Sequence, residues 1–378
     1  MKPPVLFFIG LFMLGVQPPA CGSESTASEL NNRAIAEARD GRLEQAVSFL
    51  REAFSIAPDD EQIRRNLSFA LSDLAMHKAG GEKVSESFDL LQEAVGLYDR
   101  NGLAWVRLGD LYYLQRNDFA NAIRAWEKAH GLVPEPQWEV VSKRISQAQR
   151  DQAVERRFLI ESTDHFQVRF PEDAQRLKAQ HVGAVLEREY RYLAQELGQI
   201  GGQVTVILYR VGQFEKVNAQ FDYAIGFYDG RIRIRLEDVQ TPWEAAILSH
   251  ELAHAFLHKL YGSRLPVWIH EGYAQWKEPA RPLSEREQEI ADKIHRKVLW
   301  VPLKWLDAHF EQPSDAADME RAYAQARIVV SYLIEKHGIE RFKEFLKRLS
   351  IGEAVPDAFE AGFPAEKWSR VEQGILER

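Results

Sequence analysis

The residues with the clearest chemistry lie in the string WEAAILSHELAHAFLHKLYG, where His250, Glu251 and His254 fall within five positions. On a helix, residues four apart share a face, so both imidazoles can point at one ion, and Glu251 can reach a water bound to it. Neutral imidazole is a good zinc ligand. The same stretch carries Ala246, Ile247, Leu252, Ala253 and Phe256, which supply the apolar opposite face such a helix needs. A second string, LPVWIHEGYAQW, places Glu271 sixteen residues after His254, with the turn YGSRLP between them. A helix folding back after that turn would bring a carboxylate to the ion. Two histidines and one glutamate leave the fourth tetrahedral position open for water, the arrangement of a catalytic metal site rather than a structural one. The only cysteine, Cys21, is far from these strings, so a zinc site here is built from histidine and carboxylate alone.

Other residues near the two strings fit less well. His258 extends the stripe of 250 and 254, but a fourth protein ligand would close the metal to water, and it is read as a bystander. His270 adjoins Glu271, yet on a helix it points about 100 degrees away.

HELAH followed by VWIHEGYA resembles the gluzincin peptidases, and in particular their bacterial peptidase-MA-like members. The resemblance covers most of residues 158–378. It implies a zinc metallopeptidase with His250, His254 and Glu271 as ligands to Zn2+, Glu251 as general base, and a peptide or protein as substrate. It further implies that GFYDGRIRIRL is an edge strand along the cleft, able to pair with an extended peptide. RAYAQARIVVSYLIEKHG resembles the later helix in which related enzymes place a tyrosine facing the metal, which makes Tyr323 the candidate oxyanion donor. Where some gluzincins carry an acidic residue one turn after the third ligand, this chain has Gln275, which can accept a hydrogen bond but brings no charge. The alternative is a catalytically silent zinc-binding scaffold of an envelope complex, against which the retained Glu251 argues, since a scaffold has no use for a base.

The elements that must position these residues follow from the wider pattern. The fold class expected is an N-terminal all-α helical-repeat domain followed by an α+β gluzincin-type metallopeptidase domain. From 27 to 150 the sequence is helical in period and internally repetitive. Its last copy, AWVRLGDLYYLQRNDFANAIRAWEKAHGLVP, resembles a tetratricopeptide repeat, with Trp105, Leu108, Gly109 and Tyr112 in one helix, Ala122, Trp126 and Ala129 in the next, and Pro134 closing it. Ala46, Leu50, Ala53 and Pro58 occupy matching places in an earlier copy, and a middle copy is stretched at Gly80 and Gly81. Such a stack offers a concave face to a protein partner. After Gln149 the texture changes: HFQVRF, VTVILYRV and GFYDGRIRIRL read as strands, AQRLKAQHVGAVLEREYRYLAQELG between the first two reads as a helix, and from Pro242 the chain is mainly helical.

Composition bounds the rest. A net charge of −8 provides no field to draw the whole protein to nucleic acid or anionic lipid. One lysine, an apolar run from Val5 to Val16, then Pro18 and Pro19 have the layout of an export signal over 1–21. As a helix that run spans only about 18 Å, short of the roughly 30 Å hydrocarbon core. An exported, periplasmic or envelope-associated protein is expected. Cys21 follows the run where a bacterial lipoprotein carries its acylated cysteine, so a lipid anchor there and simple cleavage nearby both stay open.

Overall fold

The computed structural model of the protein describes residues 22–79, 84–171, 176–218, 226–278, 284–364 and 367–377. The export signal over 1–21, Cys21 and the Gly80-Gly81 loop lie outside the described residues. The chain divides into two compact units, with the boundary between Arg156 and Arg157.

The first unit is all helix: α1 (Gly22–Arg39), α2 (Leu43–Ile56), α3 (Glu61–Ala79), α4 (Val84–Leu97), α5 (Gly102–Arg116), α6 (Phe119–His130) and α7 (Glu135–Glu155). Consecutive helices pack as antiparallel hairpins, α1 with α2, α3 with α4, α5 with α6. Small residues set the close crossings, as their sequence positions suggest: Ala122 and Ala129 are fully buried, and a methyl group on Gly109 would collide with the Trp126 indole. Trp126 Nε1 donates to Val106 O at 3.2 Å and to Asp110 Oδ1 at 3.1 Å. Helix α7 runs unbroken past the change of composition at Gln149 and ends at Glu155.

The second unit carries a five-stranded sheet. Its elements run β1 (Leu159–Ser162), β2 (Phe166–Phe170), α8 (Arg176–Leu197), β3 (Val204–Tyr209), α9 (Val211–Val217), β4 (Gly226–Tyr228) and β5 (Ile232–Arg235). Helices follow: α10 (Glu244–Tyr261), α11 (Val267–Lys277), α12 (Glu285–His295), α13 (Leu306–Glu311), α14 (Ala316–His337), α15 (Ile339–Ser350), α16 (Val355–Gly362) and α17 (Trp368–Leu376). Strand order is β1-β2-β3-β5-β4, with β2, β3 and β5 parallel and the two outer strands antiparallel to their neighbours. The register lines up Val168, Val206 and Ile232 across the three parallel strands, and all three are fully buried in the core that α8 and α10 also enter. Short exposed β1 carries no alternating apolar pattern and was not legible as a strand.

GFYDGRIRIRL is not one edge strand. Asp229 and Gly230 break it into the β4–β5 hairpin, and of these two strands only β4 lies at an edge of the sheet among the described residues. Strand β5 is interior; its Arg233, and Arg231 just before it, are completely buried and alternate with Ile232 and Ile234. Arg233 Nη1 donates to the Tyr209 hydroxyl at 2.7 Å, and its Nη2 pairs with Asp229 Oδ2 at 2.9 Å. Among the described residues, no helix is long and apolar enough to cross a membrane.

Candidate active site

Helix α10 is seated by Leu248, Leu252 and Phe256, all buried at intervals of four, so the residues on its other side are held in fixed rotation. That other side presents His250, Glu251 and His254. Helix α11 folds back against it after a short turn, and in its first turn the Trp268 N–H donates to Asp307 Oδ1 at 2.9 Å. The pairing brings Glu271 to the two histidines.

The three ligand atoms are mutually close: His250 Nε2 to His254 Nε2 is 3.2 Å, His254 Nε2 to Glu271 Oε2 is 3.3 Å, and His250 Nε2 to Glu271 Oε2 is 3.5 Å. A tetrahedral zinc ion with bonds of about 2.0–2.1 Å has ligand–ligand edges of about 3.3–3.4 Å. The donor triangle therefore has the size of one tetrahedral face. It is the group of histidine and carboxylate atoms among the described residues able to hold a metal, and it excludes His258 and His270. His258 packs its ring edge-on to Tyr228 at 5.8 Å, and His270 lies 5.8 Å from the His254 ring. The site also favours positive charge in its own right. Burial opposes protonation of His250, but hydrogen bonds that its ring N–H groups donate to Glu271 and Glu278, together with the charge of Glu251, outweigh it and push the imidazole up to about 10.

The residue that holds the far side of His250 is Glu278, whose Oε1 sits 2.9 Å from Nδ1. Such an outer carboxylate fixes the tautomer and raises the basicity of the ligating nitrogen. Gln275, the position one turn after Glu271, lines the adjacent cleft instead. Sequence reasoning looked for this partner at the wrong offset. Glu278 caps the end of α11, three residues beyond the expected place, and the acidic residue preceding Pro279 is the signal that could have pointed to it.

Two glycines let the surrounding backbone close in. A Cβ on Gly272, next to Glu271, would lie 2.3 Å from Ala326 O and 2.6 Å from Val330 Cγ2, so α11 lies flush on α14 only because this position lacks a side chain. That contact carries Tyr323, on α14, to the site. Its hydroxyl is held well above its ordinary value, first by the negative charge of Glu271, then by burial and by Glu251, so it is a neutral donor at physiological pH. Its ring meets Phe310 edge-on at 5.2 Å, which fixes its direction. The second glycine, Gly226 of β4, lets the outer strand come against α10; a Cβ there would be 3.1 Å from Ile247 Cγ2 and 3.5 Å from Glu251 Cγ. The edge strand thus runs directly beside Glu251.

A cleft of about 670 Å³ adjoins this centre, lined by His250 and Tyr323 and by residues of α12 and α14.

Residues 222–368 match the family model of the Peptidase MA superfamily. The match spans the whole constellation just described and supports a gluzincin-type peptidase domain in this part of the chain. No curated protein sequence matches the chain.

Proposed function

We propose that the protein is a zinc-dependent metallopeptidase that hydrolyses peptide bonds of extracytoplasmic proteins. The observation that carries this reading is the triangle of His250, His254 and Glu271 donors at tetrahedral spacing, with Tyr323 near enough for the charges of Glu271 and Glu251 to act on its hydroxyl. Bound there, zinc would supply Lewis-acid polarisation of the scissile carbonyl and would lower the pKa of a water molecule to about 7. Glu251, buried one residue from the first ligand, takes the proton of the attacking water and delivers it to the leaving amine. The neutral Tyr323 hydroxyl donates to the oxygen on which charge develops. Strand β4 holds the substrate backbone in extended form alongside α10.

Residues 158–378 form the peptidase domain in this reading. Residues 27–150, with their paired helices, form a tetratricopeptide-like domain that holds a protein partner. The leader over 1–21 directs export, with Cys21 acylated or the chain cut beside it. Crosslinking in a bacterial envelope followed by mass spectrometry reads both points: crosslinks should map to 27–150, and a chain that keeps Met1 would rule out export.

The central test separates ligand from base. His254→Ala should lose the zinc that the parent holds at about one ion per chain. Glu251→Gln should keep zinc and fold while turnover drops about 10²- to 10⁴-fold. Parent-rate cleavage by Glu251→Gln would refute the mechanism, and a cellular role fully kept by Glu251→Gln but lost on deletion would favour a scaffold.

A further inference from the structure

We propose that the cleft beside the metal centre is a subsite for a substrate carboxylate, held by Arg327 with His295 on the facing wall. This deepens the peptidase reading and rests on it.

Tyr323, Arg327 and Ser331 all line the cleft, and at intervals of four they occupy one face of α14. Arg327 therefore follows the oxyanion donor by one turn, about 6 Å along the helix. Every carboxylate around it has its own work. Glu278 holds His250, Glu287 accepts from the backbone and hydroxyl of Ser284, and Glu320 pairs with Arg286 at 2.6 Å. Glu335 has an interaction of its own. Arg327 makes no hydrogen bond or ion pair with any described residue, and positions 279–283, which follow Glu278, contain no acidic residue. Across the cleft, His295 Nδ1 is buried without a hydrogen-bond partner among the described residues. Ile290 and Ile328 make the wall around them apolar.

A partly buried guanidinium facing an apolar wall is costly without an acceptor, and a carboxylate supplies two in matching geometry. In an unmodified peptide that group is either an Asp or Glu side chain or the C-terminal carboxylate. An extended chain advances about 3.3–3.6 Å per residue, so Arg327 meets a carboxylate within about two residues of the scissile bond.

The test uses full-length, zinc-loaded Glu251→Gln protein and three N-dansyl serine–alanine hexapeptides: C-terminally amidated, C-terminally free, and amidated with one internal glutamate. Anisotropy should show at least one acidic peptide binding about 10- to 100-fold tighter than the neutral one. The two acidic arms tell which source of the carboxylate is read. The preference should vanish in Arg327→Ala and survive in part in Arg327→Lys, with circular dichroism and zinc content confirming the fold of each. Equal binding of all three peptides, or a preference that persists in Arg327→Ala, overturns the proposal. Cleavage by the parent is scored separately. Glu251-dependent cleavage without carboxylate preference sinks the subsite and leaves the peptidase; carboxylate binding without cleavage sinks the peptidase and leaves the subsite.

Discussion

Adding one methyl group at Gly272 should damage stability and metal binding together. The new Cβ would sit 2.3 Å from Ala326 O, roughly 1 Å inside ordinary contact, and Val330 Cγ2 at 2.6 Å closes the sideways escape. The first obstacle is backbone, so relief requires α11 to lift away from α14 by about 1 Å. Overpacking of this kind costs about 1–3 kcal/mol, and a shift of that size exceeds the roughly 0.2 Å tolerance of a metal–ligand bond. Glu271 rides on α11 and Tyr323 on α14, so both leave their places. Thermal unfolding of metal-free Gly272→Ala should show the stability loss, and titration against a fluorescent chelator should show weakened zinc binding. Gly212→Ala is the matched control: nothing lies within 4 Å of its Cβ position, which is in a helix, so it should be neutral or slightly stabilising. A Gly272→Ala protein that melts with the parent and holds zinc equally well would refute the flush packing of α11 on α14 as the device that sets the site.

Glu278→Gln should weaken zinc binding about tenfold, since an amide still accepts from His250 but brings no charge, whereas Gln275→Ala should change it by less than about twofold; chelator competition reads both. Tyr323→Phe should lower kcat by about 10- to 100-fold with little change in KM, and unchanged kinetics would return this tyrosine to the core. Burial lowers the Lys259 amine to about 8 from its ordinary 10.5, and the unfolded chain therefore binds more protons between these values. Stability from this residue rises with pH across that window, so the parent should gain on the order of 2 kcal/mol over Lys259→Met between about pH 7 and pH 10 by chemical denaturation.

What the sequence by itself determined is local. His250, Glu251 and His254 are set by a single helix, because four residues make just over one turn and the apolar stripe of Leu248, Leu252 and Phe256 dictates which side is buried. The helical period of the first unit, with small residues where helices cross, is likewise a property of neighbouring positions, and the strands over 166–170 and 204–209 follow from runs of β-branched and aromatic residues. Only the tertiary structure decided the relations between distant segments. Glu278 meets His250 across 28 positions because α11 folds back along α10, and no periodicity encodes where that helix ends relative to a histidine on another. The hairpin inside GFYDGRIRIRL was hidden because its buried arginines alternate with isoleucines just as an exposed strand would, and only the pairing with Asp229 and Tyr209 shows them to be interior. Arg327 reads in the sequence as one more polar residue on an amphipathic helix. It becomes a cleft residue without an acceptor only when α12 closes the opposite wall, because burial and ion pairing are properties of the packed chain and not of its neighbours in sequence.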